Sequence, residues 1–137
     1  MKMIKKITLV LLIALMMLTV AGCGKKRIIE ENEKVTIVDT NGDEVTIPSE
    51  IKKVICRSGN GTSFMVAMGY ADKLVGTADY VVTNPWADVF YEGIGDLSTF
   101  GWSPSSEEVY AVEADLVMLA DPEVAGNLRE DGISAIC

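Results

Sequence analysis

The first pattern along the chain is an unbroken apolar block. Residues 7–20 are apolar at every position except Thr8 and Thr19. Residues 24–33 then form a charged, aperiodic stretch that reads as a flexible tether. From Lys34 the period changes to two. Val35 and Ile37 alternate with Thr36 and Val38, a β pattern of β-branched residues. Asn41-Gly42 is a strong hairpin signal, with both turn positions expected at positive φ. Residues 44–47 return as the second strand, and Pro48 stops it.

Farther on, short apolar runs alternate with capped polar stretches. Residues 53–57 (K-V-I-C-R) predict a strand and 58–61 a loop. Thr62 is the expected N-cap of a helix over 63–68, with Gly69 as its left-handed C-terminal cap. Residues 74–77 predict a strand parallel to the first, since a helix separates the two. Residues 78–100 are the least regular. Asn84-Pro85 is expected to open a short helix carrying Trp86, Val89, Phe90 and Tyr91, ended by Gly93 and Gly95. Trp86 is read there as core or surface packing rather than a ligand contact. Ser105 with Glu108 three residues on forms a capping box, starting a helix to about residue 113. Residues 115–120 (D-L-V-M-L-A) predict a buried strand. Asp121-Pro122 opens a helix to about residue 130, and residues 133–137 a last strand. The fold class is α/β: a doubly wound, mostly parallel sheet in the order 2-1-3-4, preceded by a β-hairpin. A strand as the final element leaves no helix over one face, as in a chain cut at an internal boundary.

The apolar block has a chemical context. Lys2, Lys5 and Lys6 precede it, and Ala21, Gly22 and Cys23 follow. A basic start, an apolar core and a small-residue site define a secretory signal peptide, and the core is shorter than the roughly 20 residues of a spanning helix. V-A-G-C resembles the bacterial lipoprotein box. That resemblance implies lipidation of the Cys23 sulfur and cleavage before it, dividing the chain into a signal (1–22), a tether (23–33) and a lobe (34–137). It places the lobe on the extracytoplasmic face of the cell membrane, held there through its lipid anchor.

Charge and composition narrow the function. Without Lys2, Lys5 and Lys6 the chain keeps 9 basic against 20 acidic residues, a net of −11. Nucleic-acid binding needs a basic footprint and is disfavoured. There is no His, so a Ser-His-Asp or Cys-His device cannot be assembled within the chain. Cys56 and Cys137, on strands with another between them, are expected buried and reduced. No metal-ligand spacing, phosphate loop or dinucleotide fingerprint occurs, and no cofactor is implied.

The segments V-T-I-V-D-T-N-G-D-E-V-T-I-P, K-K-V-I-C, M-G-Y-A-D-K-L-V-G-T and S-S-E-E-V-Y-A-V-E-A-D-L-V-M occur in an order that resembles the N-terminal lobe of ABC-transporter substrate-binding proteins. The class carries iron-siderophores, haem, cobalamin and some oxyanions. The resemblance runs from about residue 34 to 137 and departs at Ala114, where the family usually has proline. It implies two lobes with ligand between them, of which this sequence shows the first. It implies a small-molecule ligand, a metal chelate, and an ABC permease as partner. It also implies a docking glutamate near a helix start, for which Glu107 is the matching position.

Ligands of open α/β sheets sit beyond the carboxyl ends of strands. Those ends offer Arg57, Ser58, Asn60, Tyr80, Trp102 and Asp121 as candidate ligand contacts. Helix N-termini near Gly61 and Pro122 are expected to offer free N–H groups. Two rivals stand beside a solute-binding lipoprotein: a truncated remnant lobe that binds nothing, and a carboxylate-based extracytoplasmic hydrolase. The last lacks a pair of carboxylates placed by sequence logic, and the chain is read as not an enzyme.

Overall fold

Strict alternation in the short strands sends neighbouring side chains to opposite faces of one sheet. Ile55 and Val117 point to one side; Val54, Cys56 and Leu116 point to the other. The computed structural model describes residues 33–137. Cys23, the signal and nearly all of the tether therefore lie outside the described residues. Strands β1 (Lys34–Val38) and β2 (Glu44–Pro48) form an antiparallel hairpin. Five further strands form a parallel sheet: β3 (Val54–Cys56), β4 (Leu74–Ala78), β5 (Ser98–Phe100), β6 (Leu116–Met118) and β7 (Ala135–Ile136). Their order is β5-β4-β3-β6-β7.

The expected 2-1-3-4 arrangement is present within that order. β5 is an addition that three residues of S-T-F did not announce. It pairs with β4, where Phe100 is buried against the sheet. Gly76 makes this possible, because a Cβ there would overlap the Phe100 ring.

Helices cover both faces. α1 (Gly59–Ala67) packs Met65 onto the face of Val54, Cys56 and Leu116. α4 (Ser106–Ala111) and α5 (Pro122–Glu130) pack Val109, Ala125 and Leu128 onto the face of Ile55 and Val117. Two single-turn helices, α2 (Asp79–Val82) and α3 (Ala87–Phe90), lie between β4 and β5. Among the described residues no helix is long and apolar enough to cross a membrane.

The hairpin occupies the side of the sheet that lacks a helix near β7. Val45 and Ile47 are buried in the α1-side core, and Ile136 packs against that cluster. Polar contacts pin it. Asp39 is buried; its Oδ2 accepts the Cys137 N–H at 3.4 Å, and Thr40 N–H donates to the Cys137 carbonyl at 3.1 Å. Arg129 reaches Asp39 at 3.4 Å and Asp43 at 2.9 Å. Burial pushes the Asp39 carboxyl up. The N–H donors of Asp43, Cys137 and Asn41, with the Arg129 charge, outweigh it and hold the carboxyl below the usual aspartate range.

Several local expectations change. The hairpin loop has five residues, not two, and Gly42 takes positive φ (+89°) while Asn41 does not. Asp39 Oδ1 closes the loop by accepting from Asn41 and Asp43 N–H, so a second left-handed residue is not needed. α1 starts at Gly59, not 63. Its N-cap is Ser58, and Thr62 is buried inside the helix, with its hydroxyl 2.8 Å from that of Thr77. Gly69 is left-handed as expected (φ +80°). The Ser105–Glu108 capping box is present, but α4 ends at Ala111. Cys56 and Cys137 are free, with β6 between their strands. Cys56 is fully buried, whereas Cys137, beside an edge strand, is half-buried. Burial first, then the Asp39 charge, raises its thiol pKa.

Candidate functional site

In a parallel sheet all carboxyl ends face one edge, so the residues just past β3, β4, β5 and β6 must gather there. Arg57 and Ser58 follow β3, Tyr80 sits in the first turn after β4, Trp102 follows β5, and Asp121 follows β6. These five line one small cavity of about 100 Å³, closed behind by Leu119 and Ala120. The sixth candidate, Asn60, does not join them. It lines an adjoining groove between α1 and the α2–α3 segment.

Most of these side chains also hold the scaffold. The Arg57 guanidinium is buried. Its Nη1 donates to the Phe100 carbonyl at 3.2 Å and to the Gly101 carbonyl at 2.6 Å. Its central carbon lies 4.9 Å from the centroid of the Trp102 ring, a cation–π distance. Arg57 therefore clamps the β5–α4 loop and fixes the exposed Trp102 as a wall. Ser58 accepts from Gly61 N–H at 3.2 Å. Asp121 Oδ1 accepts from Glu123 N–H at 3.0 Å and Val124 N–H at 3.3 Å. The helix N-termini expected to offer free N–H groups thus have part of that capacity taken by their own caps.

Tyr80 is placed by glycine. Gly59 N–H donates to the Tyr80 hydroxyl at 2.9 Å. A Cβ on Gly59 would come within 3.0 Å of the Tyr80 ring. A side chain there would be a tight fit, and the ring would have to give by a few tenths of an ångström. No sequence rule announced that contact, since the two positions are 21 residues apart.

Of the two packing positions expected for Trp86, core or surface, the structure gives the surface. It is 73% exposed, and with Phe90 it lines the groove beside Tyr80. Glu107 is exposed in the first turn of α4, next to the capping Glu108. A pair of hydrogen bonds from Ser105 to Glu108, backbone first, keeps that carboxyl below its ordinary range.

No protein-family model matches the sequence. The chain is 32% identical over 143 aligned positions to the ABC transporter substrate-binding lipoprotein YvrC of Bacillus subtilis, covering 92% of this chain and 42% of YvrC. The chain thus spans under half the length of that relative. In fold it superposes on a periplasmic solute-binding protein of Veillonella parvula with a TM-score of 0.65 and 23% identity, over 76% of this chain and 35% of the other. The Haemophilus influenzae molybdate-binding protein MolA gives a TM-score of 0.67 at 17% identity, over 74% and 33%. These relatives are binding proteins rather than enzymes. In sequence and in fold the chain is similar to the solute-binding proteins of ABC transporters, and its described residues match one lobe of that architecture.

Proposed function

We propose that this chain supplies a ligand-binding lobe of an extracytoplasmic lipoprotein. That lipoprotein captures a metal chelate of the iron-siderophore, haem or cobalamin type and delivers it to an ABC importer. The observation that carries this reading is the convergence of Arg57, Ser58, Tyr80, Trp102 and Asp121 at the carboxyl edge of the sheet. One cation, one carboxylate, hydroxyls and two aromatic faces meet there. Such a mixture suits a ligand with charged and flat unsaturated parts.

Cys23 anchors the lobe by its lipid, and Glu107 meets cationic residues of the permease. The similarity to a substrate-binding lipoprotein supports both assignments.

Titration of the chain with haem, a ferric catecholate, cyanocobalamin and molybdate, followed by calorimetry, tests the ligand class. At least one chelate is expected to bind with a micromolar or lower Kd, and molybdate is not. Silence with all three chelates, or binding of molybdate alone, overturns the proposal. Labelled palmitate should enter the wild type and not Cys23→Ala.

A further inference from the structure

We infer that the ligand site extends across Tyr80 into the groove between α1 and α3, where Trp86 and Phe90 receive the flat organic body of the chelate. This rests on the solute-binding reading above and specifies where the ligand's unsaturated part lies. The cavity at Arg57 and Asp121 holds only about 100 Å³, below the roughly 300–1,000 Å³ of small-molecule sites. The adjoining groove adds about 330 Å³. Tyr80 lines both spaces, so the two adjoin at its side chain.

The two halves differ in chemistry. Charge is confined to the Arg57–Asp121 side. The groove side presents Tyr80, Trp86 and Phe90, which are 57%, 73% and 50% exposed, with the Asn60 and Asn84 amides at its rim. Large aromatic side chains left this open near one another form a surface for another flat face. A bare oxyanion has no part to lay on it. A chelate whose donor atoms are carried by an aromatic or macrocyclic frame does, with its charged end toward Arg57. The ligand's contacts are thereby divided between the two spaces, Asn60 lying in the second.

Trp86→Ala, Phe90→Ala and Trp86→Phe, each titrated with haem, a ferric catecholate and cyanocobalamin, test the extension. Truncating either exposed ring should weaken the bound chelate about tenfold, equivalent to roughly 1.4 kcal/mol. Trp86→Phe should stay within about threefold of wild type, since a ring remains. Melting curves of all three variants should overlie that of the wild type, which separates lost contact from lost fold. If a chelate binds the wild type and both truncations equally, the extension is wrong while the solute-binding reading stands. If no chelate binds the wild type, both fall together.

Discussion

The guanidinium of Arg57 lies 4.9 Å from the centre of the Trp102 ring while holding the carbonyls of Phe100 and Gly101. One residue after β3 thereby sets the shape of the loop after β5. Lysine keeps the charge but not the planar fork. Arg57→Lys should destabilise the fold by about 1–3 kcal/mol, the range for orphaning buried acceptors. With Trp86→Phe removing the other tryptophan, the same change should shift Trp102 emission to the red. An unchanged spectrum and unchanged urea midpoint would show that the clamp does not position the loop.

Thr62 and Thr77 share a hydroxyl–hydroxyl bond of 2.8 Å in the core, and Thr62 also donates to the Cys56 carbonyl at 3.3 Å. Thr62→Val should cost about 1–3 kcal/mol, because Thr77 is left buried with its partner gone. Adding Thr77→Val should cost less than the second single change alone, by at least about 0.5 kcal/mol. Strict additivity in denaturant titrations would mean that the two hydroxyls are not coupled.

Asp39 gives the hairpin a pH dependence of known sign. Its folded carboxyl titrates below the ordinary aspartate value of about 3.9. Above that value both folded and unfolded forms are ionised, and the full contribution is present. As pH falls through about 3.9 toward the lower folded value, the unfolded chain takes up the proton first and stability is lost. The gap in urea midpoint between wild type and Asp39→Asn should be constant from pH 7 to pH 5 and should narrow toward pH 3. A gap that widens on acidification contradicts the assignment.

Glu107 and Glu108 are neighbours, and the docking proposed for Glu107 can be tested apart from the capping contact of Glu108. Glu108 accepts from Ser105 N–H at 2.7 Å, so Glu108→Ala should lower the melting temperature and spare uptake. Glu107→Arg should leave melting and ligand affinity unchanged and reduce uptake, since like charges then meet at the permease. Wild-type uptake by Glu107→Arg cells removes Glu107 from the docking surface.

The sequence by itself determined the parts of this protein that depend on neighbours along the chain. Alternation in V-T-I-V and E-V-T-I specified the hairpin strands, and S-S-E-E specified a capping box, because both signals act over a few residues. The order of the four longer strand signals followed from the handedness and parallel pairing that intervening helices impose. Tertiary structure decided what depends on distant partners. Thr62 matches an N-cap locally, yet burial beside Thr77 makes it a core residue and passes the cap to Ser58. β5 has one buried residue in S-T-F and so no apolar run to announce it, and Gly76 leaves room for the Phe100 ring beside it. Trp86 resembles a packing residue in sequence. Between the single-turn helices α2 and α3 it ends exposed in the groove that Tyr80 also lines, a placement that no local pattern encodes.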